Sequence, residues 1–340
     1  MRLKTLMQML RFRRPMGSRT EQNFRNYFIH SLPDSWEDEH RNIHVLISRK
    51  DGSWPSTMWS CHTDTVHRDG GFQHVQLRSG VVALAPGERS NCLGADCTIG
   101  VWIMREMILA GVPGHYVFHW GEERGCIGSR AVVKDHPKYF RKAKAIIAFD
   151  RRGDSDVVTH QRGRRTASDA FADSLAVMLP KGYTKAHGIY TDSAEYDEII
   201  PECTNLSVGY DSEHHADESV DLGVVSKLLR AMMTFDEDRL VIARDPSVKE
   251  EPEWMKRQRE AVKSGRVIYY GQRPDYQRLP EPPPESLPPK PYVKGETYTI
   301  WKDGQLIQFA SEQARMEAWL QQRAEEDEKK LALAQAAWYE

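Results

Sequence analysis

Short apolar runs, rich in β-branched and aromatic side chains, recur along the first two thirds of the chain. Such runs are typical of buried strands, and the segments between them carry apolar residues at helical spacing. Strands that alternate with helices predict an α/β protein, here a three-layer α/β/α fold with a mixed, mostly parallel, doubly wound sheet. The predicted strands are residues 44–48, 57–61, 115–120, 145–149 and 205–210, and a hairpin is predicted at 74–85. The predicted helices are residues 18–31, 98–110, 168–178 and 222–235, and a further helix is expected to start at residue 130.

The composition changes after about residue 245. Residues 273–291 contain repeated prolines, which favour a stiff extended linker. Such a segment can bind an aromatic groove on a protein partner, or it can serve only as a spacer. Farther along, apolar runs on both sides of Lys302-Asp-Gly predict a hairpin, and a helix is expected from Ser311. The chain thus divides into a folded domain at 1–245, a Pro-rich linker at 246–294 and a hairpin-plus-helix extension at 295–340.

Charge and hydropathy narrow the class of protein. Lys and Arg number 47 against 49 Asp and Glu. Because the positive and negative charges nearly balance, the net charge gives no indication of a nucleic-acid or membrane partner. No apolar run approaches the roughly 20 residues that span a bilayer. The basic start lacks the cleavage site of a signal peptide, so we expect a first helix there. The five cysteines show no Cys-x-x-Cys spacing, which favours buried thiols and a cytoplasmic protein.

Five residues of metal-binding type lie beside these apolar runs. His62, Glu123, Asp150 and His214 each follow a predicted strand, and Asp96 opens the helical stretch at 98–110. In an open α/β sheet, ligands and chemistry collect beyond the carboxyl ends of the strands. Two histidines and three carboxylates suit a pair of divalent ions better than a single ion. The pattern therefore indicates a two-metal hydrolase.

The neighbours of these residues add to the prediction. Asp64 lies two residues after His62, where a carboxylate can hold the second ring nitrogen of a metal-bound imidazole. Glu122 directly precedes Glu123, and two adjacent carboxylates repel each other unless a cation or a proton intervenes. One of them can bind metal while the other transfers a proton.

Each signal taken alone has an ordinary explanation as well. A His-x-Asp pair arises often by chance, Asp96 could be a helix N-cap, and Asp150 could be a solvated loop residue. Of the adjacent His214 and His215, only one can be the ligand. His160 and Tyr210 are further candidates for oxyanion stabilisation, with ordinary structural roles as the alternative.

Taken in order, the motifs resemble the co-catalytic zinc exopeptidase superfamily, which includes bacterial leucyl aminopeptidase, tripeptide aminopeptidase and acetylornithine deacetylase-like amidases. The resemblance covers roughly residues 15–240. The motifs that carry it are Ser60-Cys-His-Thr-Asp-Thr, Leu93-Gly-Ala-Asp-Cys, Trp120-Gly-Glu-Glu-Arg-Gly-Cys-Ile-Gly-Ser, Phe149-Asp and Gly209-Tyr-Asp-Ser-Glu-His-His-Ala-Asp-Glu.

The resemblance implies two divalent metal ions, expected to be Zn²⁺, with Co²⁺ or Mn²⁺ as alternatives. His62 and Asp150 would hold one ion, Glu123 and His214 the other, and Asp96 would bridge them. His214 is preferred over its neighbour because family members place this ligand four residues before a glutamate, and the residue at that position here is a glutamate.

The resemblance also implies a reaction. Asp64 would orient His62, and Glu122 would be the general base that takes a proton from a metal-bound water, so that the resulting hydroxide attacks a peptide amide. The expected activity is that of a metal-dependent exopeptidase, most closely an aminopeptidase. The alternatives are an amidase or deacylase of N-acyl amino acids on the same metals, and a non-catalytic binding module.

Two departures from the family pattern bear on these expectations. The family often has an aspartate after the bridging one, whereas Cys97 occupies that position here. Only 41 residues separate Asp150 from Asp192, which leaves no room for the dimerisation lid of the deacetylase-like branch. A compact form without the lid domain is therefore expected. Asp192 lies where relatives place residues of the substrate pocket, with an ordinary loop aspartate as the alternative. Since all the proposed ligands precede residue 219, residues from about 250 onward should be dispensable for catalysis.

Overall fold

The computed structural model describes residues 3–248 and the backbone of residues 298–302 and 305–309. These two parts belong to separate units, which are described one at a time. The predicted linker at 246–294 and the predicted helix after Ser311 lie almost wholly outside the described residues. The domain boundaries at 245 and 294 therefore stay predictions.

The elements of the first unit follow the predicted order. The strands are β1 (Phe12–Arg13), β2 (Trp36–Glu37), β3 (Ile43–Ile47), β4 (Thr57–His62), β5 (Gly71–Phe72), β6 (Val75–Arg78), β7 (Val81–Leu84), β8 (Gly114–His119), β9 (Ala145–Arg151), β10 (Asp156–Gln161), β11 (Arg164–Arg165), β12 (Thr184–His187), β13 (Glu202–Ser207), β14 (Tyr210–Asp211) and β15 (Ser219–Asp221). The α-helices are α1 (Leu3–Met9), α2 (Arg19–Phe24), α3 (Ala95–Leu109), α4 (Ile127–Asp135), α5 (Pro137–Phe140), α6 (Asp169–Ala176) and α7 (Leu222–Met232).

A nine-stranded mixed sheet forms the centre of this unit. Its strand order is β11-β10-β13-β9-β4-β8-β3-β2, and β12 pairs with β10. The four central strands β13, β9, β4 and β8 run parallel, while β3 and β10 join them antiparallel on the two sides. The carboxyl ends of the central strands therefore meet at one edge of the sheet. The predicted α/β fold with a mixed, doubly wound sheet is confirmed.

Helices cover both faces of the sheet. On one face α3 lies directly on β4 and β9, and a Cβ atom at Gly100 would come within 2.3 Å of the Phe149 carbonyl oxygen. On the other face Val132 of α4 and Phe140 of α5 pack in one buried cluster with Met58 and Ile146 of the strands. Because the sheet is buried on both faces, its central strands are almost continuously apolar, which made them readable in the sequence.

Smaller elements surround this core. β6 and β7 form the predicted hairpin and pair with β15 and β14 in a separate four-stranded antiparallel sheet. The predicted strand at 205–210 is instead β13 at Glu202–Ser207, which ends before the left-handed Gly209. Ser18 caps α2 as predicted, but the predicted helix 18–31 continues after Phe24 as a π-helical turn at Arg25–Ile29. All five cysteines are free and buried.

The second unit contains an antiparallel hairpin of β16 (Tyr298–Lys302) and β17 (Gln305–Phe309), close to the hairpin predicted there. Among the residues that the structure describes, none belongs to a helix with the length and apolar character that crossing a membrane requires.

His67 provides a test of the packing through the pH dependence of stability. Burial, with a further contribution from the charge of Arg14, lowers the pKa of His67 from 6.5 to about 4. Neutral His67 therefore stabilises the fold fully above pH 6.5, and this contribution is lost as the pH falls towards 4. The pKa difference corresponds to on the order of 3 kcal/mol in the free energy of unfolding.

We expect His67→Gln to lose less stability than the wild type between pH 7 and pH 4.5, as measured by urea unfolding at each pH. Identical losses in the two proteins would show that His67 is not a titrating group of the fold.

Arg244 lies near the carboxyl-terminal end of the described residues 3–248 and contacts the folded core. Its guanidinium donates to the carbonyls of Pro201 at 2.6 Å and Ile200 at 3.2 Å, and its main-chain N–H donates to Glu202 Oε1 at 2.8 Å. We expect a chain shortened after Val248 to keep the wild-type melting temperature. Arg244→Ala in the full chain should lower the free energy of unfolding by about 1–3 kcal/mol because buried acceptors lose their donor.

Arg239→Ala is the matched control for Arg244→Ala, since Arg239 is exposed in the 3₁₀ turn just before it. This variant should stay within about 0.5 kcal/mol of the wild type. If the chain shortened after Val248 unfolds at a clearly lower temperature, residues beyond 248 contribute to the fold.

Candidate metal centre

The five predicted ligand residues converge at the carboxyl edge of the central strands. His62 is the last residue of β4, Asp150 lies at the end of β9, and Glu123 is in the turn after β8. Asp96 is at the start of α3, and His214 is in the loop between β14 and β15. Parallel pairing of β8, β4 and β9 accounts for this arrangement, because it brings the ends of these strands to the same edge.

Asp96 lies between the two histidines. Its Oδ1 atom is 2.9 Å from His62 Nε2, and its Oδ2 atom is 3.3 Å from His214 Nε2. His62 Nε2 also lies 3.2 Å from Asp150 Oδ1, and His214 Nε2 lies 3.2 Å from Glu123 Oε1. The residues therefore form two groups that share one carboxylate: His62 with Asp150, and His214 with Glu123.

This spacing fits metal coordination. With bonds of about 2.0–2.1 Å, two ligand atoms on a tetrahedral zinc ion are about 3.3 Å apart. The four contacts of the centre fall between 2.9 and 3.3 Å. Single ligand atoms of His62, Asp96 and Glu123 all lie within 4.8 Å of one another, and the same holds for His62, Asp150 and Cys97.

The electrostatics of the centre also favour cations. Burial raises the pKa of Glu123 to about 7, with a further contribution from Asp96, and burial followed by the charge of Asp96 raises the pKa of Asp150. Contacts with Asp96 and Glu123 raise the pKa of His214 to about 11. Burial lowers the pKa of His62, but the charges and hydrogen bonds of its neighbours, Asp150 first among them, together outweigh burial and raise this pKa above its usual value. Carboxylates in excess over histidines thus create a negative field that two dications would neutralise.

Glu122 lies in the same pocket but makes none of the contacts that join the five ligand residues. Its Oε1 atom accepts a weak hydrogen bond from Cys126 Sγ at 3.8 Å. Burial raises the pKa of Glu122 well above its usual range, and the charge of Asp150 adds to this against the opposing charge of His62. A partly buried carboxyl group with a raised pKa beside a metal centre is suited to accept and return a proton.

Asp64 has a broader role than predicted. Its main-chain carbonyl oxygen lies 3.1 Å from His62 Nδ1, whereas its carboxylate Oδ1 is 3.5 Å away. The carboxylate accepts hydrogen bonds from the main-chain N–H groups of Gly121, Glu122 and Glu123 at 3.2–3.3 Å. Fully buried Asp64 therefore fixes the turn that carries both glutamates as well as contacting His62.

Three supporting residues were not predicted from the sequence. Buried Glu218 accepts from the main-chain N–H groups of Gly94 at 2.7 Å and Asp96 at 3.1 Å. Thr191 donates to Asp150 Oδ2 at 2.6 Å, and Asn205 Oδ1 accepts from the Asp150 N–H group at 3.0 Å. Glu218 has one signal in the sequence, its position four residues after His214, and the preference for His214 over His215 rests on the same spacing.

The other residues singled out in the sequence differ in whether they line the pocket. Tyr210 lines the pocket, whereas His160 stacks on His187 with ring centroids 4.2 Å apart. Asp192 is buried, accepts from Ser129 Oγ at 2.5 Å and has its Oδ2 atom without a hydrogen-bond partner among the described residues. Buried Cys97 donates from Sγ to the Phe149 carbonyl at 3.0 Å, and its Sγ atom also lies within 4.8 Å of ligand atoms of His62 and Asp150.

The pocket over the centre has a volume of about 190 Å³. Val158, Ile189 and Tyr190 supply apolar lining, and Arg151, Arg152 and Glu213 supply charge. A larger cavity of about 650 Å³, which includes Arg49, Pro113 and Phe235, contains none of the five ligand residues. Chemistry is therefore expected in the smaller pocket.

Glu218 provides a test of how the centre is built. Glu218→Ala should weaken metal binding by about 10–100-fold, because partners that orient ligands typically contribute this much to affinity. The matched control is Asp217→Asn, an exposed neighbour that should bind metal as the wild type does. Zinc affinity is measured by competition with a chromophoric chelator. Equal affinities for Glu218→Ala and the wild type would contradict the proposed support of Asp96.

Comparisons with known proteins bear on the fold. No family model matches the sequence, and no curated protein sequence matches it. Solved structures do match, at low sequence identity. Aminopeptidase PepT from Bacillus cereus is 13% identical with a TM-score of 0.56, and the match covers 68% of this chain and 96% of that one.

Two further structures are similar. A tripeptidase from Staphylococcus aureus is 14% identical with a TM-score of 0.55, and the match covers 68% of this chain and 95% of that one. An aminopeptidase from the archaeon Desulfurococcus kamchatkensis is 13% identical with a TM-score of 0.52, and the match covers 69% of this chain and 94% of that one. This chain therefore shares the fold of these aminopeptidases and peptidases, as the sequence motifs led us to expect.

Proposed function

We propose that the protein is a metal-dependent exopeptidase that removes residues from the amino terminus of peptides. The placement of Glu122 is the observation that carries the proposal. The five ligand residues would suffice for binding metal, but a partly buried carboxyl group beside them, outside their contacts, is what a general base requires. A non-catalytic binding module has no need of such a group.

The ligand residues would divide between two ions. His62 and Asp150 would hold one, Glu123 and His214 the other, and Asp96 would bridge them, in line with the two groups of contacts. When bound, two divalent ions polarise a carbonyl group and make a water molecule more acidic. We take Zn²⁺ as the first candidate because imidazole and carboxylate ligands suit it, with Co²⁺ and Mn²⁺ as alternatives.

The residues of the chain would perform the proton transfers. Glu122 would accept a proton from the water that attacks the scissile amide and would return it to the leaving amine. Asp64 would keep Glu122 in place through the turn, because its carboxylate holds the N–H groups of both glutamates. His214 has the most exposed side chain among the ligands, at 44%, so we place substrate entry on its side of the centre.

The charges of the pocket favour a free amino terminus over an N-acyl amino acid. Arg152 contacts Glu213 at 3.2 Å, and Arg151 contacts Asp156 at 3.0 Å, so both arginines already have carboxylate partners. The second carboxylate oxygen of Glu213, Oε2, is buried and has no hydrogen-bond partner among the described residues. An acceptor of this kind suits the ammonium group of a peptide, whereas a deacylase would need a free cation for its substrate's carboxylate.

The two adjacent glutamates should differ sharply when each is replaced. Glu122→Gln should keep the metals and the melting temperature while turnover falls by about 10²–10⁴-fold, because only the proton transfer is lost. Glu123→Gln should weaken metal binding and lower the melting temperature of the metal-loaded protein, since it removes a ligand charge. Metal content, melting temperature and turnover are measured for both variants. Normal turnover by Glu122→Gln would refute the mechanism.

Product analysis tests the substrate class. The metal-reconstituted protein is incubated with a peptide library and with the same peptides N-acetylated, and the products are read by mass spectrometry. We expect stepwise loss of amino-terminal residues from free peptides only. Glu213→Gln should lower kcat/KM for free peptides by about tenfold while metal content stays unchanged, as the ammonium group loses a charged partner.

The other products would identify the alternatives. Release of the acyl group would indicate an amidase or deacylase, and trimming from the carboxyl terminus would indicate a carboxypeptidase. No product from any peptide, in a protein that binds its metals, would favour the binding module.

A further inference from the structure

Four side chains with metal-binding atoms cluster at the surface, apart from the candidate metal centre. Glu39 and His40 lie in the loop between β2 and β3, and Asp135 and His136 lie at the carboxyl end of α4. The ligand atoms of Glu39, His40 and His136 are all within 4.8 Å of one another. His40 Nε2 lies 3.0 Å from Asp135 Oδ2 and 3.9 Å from Glu39 Oε1, and His136 Nε2 contacts Glu39 Oε1.

The loop that carries two of these residues is held in a fixed shape by Asp38. The carboxylate of Asp38 accepts the main-chain N–H groups of His40 and Asn42, both at 2.9 Å. It also accepts from Asn42 Nδ2 at 2.8 Å and contacts His44 Nε2 at 3.0 Å. Four interactions with one carboxylate restrict the loop, so the backbone that carries Glu39 and His40 has a defined conformation.

Asn42 connects this loop to α4. Its side-chain amide donates to the Gly128 carbonyl at 3.1 Å, and its Oδ1 atom accepts from the Trp120 N–H group at 3.2 Å. Asn42 is fully buried, so these contacts are shielded from water. The two segments that present the cluster therefore have a fixed separation, which is the condition for a preformed site.

We propose that Glu39, His40, Asp135 and His136 form a separate site for a divalent transition-metal ion, with Zn²⁺ as the best candidate. Two imidazoles and two carboxylates are a complete ligand set for tetrahedral zinc, and imidazole disfavours Mg²⁺ and Ca²⁺. Ligand atoms on one zinc ion are about 3.3 Å apart, so the separations of 3.0 and 3.9 Å require only small side-chain movements.

The state of His40 supports coordination over simple ion pairing. Its Nε2 atom is buried and, despite the nearby Asp135 oxygen, forms no hydrogen bond with any described residue. The other three side chains are about half exposed, at 60% for Glu39, 47% for Asp135 and 48% for His136. An ion could therefore reach the inner nitrogen from solvent without any opening of the fold.

Metal at this site would join the loop to the end of α4. Through Asn42, the same loop contacts Trp120, the residue directly before the turn that carries Glu122 and Glu123. The ion would thus stabilise the layer that supports this turn while lying outside the centre.

The test compares zinc stoichiometry in the full-length protein and in two variants. Chelator-treated wild type, the double variant His40→Asn/His136→Asn and the control His74→Asn are each titrated with Zn²⁺ against a chromophoric chelator. His74 is a matched control because it is an exposed histidine that contacts Glu88 outside the cluster. We expect the double variant to bind one zinc ion fewer per chain than the wild type, and His74→Asn to bind the same number.

Because the readout is a difference between variants, it does not depend on whether the candidate centre binds two ions or none. Zinc should also raise the melting temperature of the double variant less than that of the wild type. If the double variant does not fold, Glu39→Gln/Asp135→Asn replaces it, since both residues are exposed. Equal zinc counts in the wild type and the folded variant would overturn the proposal and leave only surface ion pairs.

Discussion

Repulsion among partly buried carboxylates is the constraint on which the rest of this structure depends. Asp96, Glu122, Glu123 and Asp150 line one small pocket at the edge of the central sheet. Two like charges about 4 Å apart repel by on the order of 4 kcal/mol at an effective dielectric constant of 20. A fold can hold such a group only if cations or protons offset the charge. Burial raises the pKa values of Glu122, Glu123 and Asp150, and repulsion from neighbouring carboxylates raises them further.

The surrounding structure holds these carboxylates in place with neutral hydrogen-bond donors and a second layer of acids. Thr191 and Asn205 fix Asp150, and Glu218 fixes the backbone of Asp96. Asp64 fixes the turn with Glu122 and Glu123 through main-chain N–H groups. Because none of these contacts neutralises the pocket, the negative potential stays available for metal ions.

Local patterns predicted the central strands and the residues at their ends, because a strand that is buried on both faces is apolar nearly throughout and stops where polar residues begin. The supporting contacts could not be predicted in this way. Glu218 reaches Gly94 across 124 residues, and Asp64 reaches the glutamate turn across 57–59. The antiparallel β10 was also missed, since its mixed composition hides its place beside β13.

In the proposed centre, Asp96 would bridge two divalent ions. Anomalous diffraction from crystals of the zinc-reconstituted full-length protein tests this arrangement most directly. Data collected on both sides of the zinc absorption edge should show two peaks in the pocket, one between His62 and Asp150 and one between Glu123 and His214. A single peak in the pocket, or peaks on Cys97 and Cys126 instead, would contradict the two-metal centre.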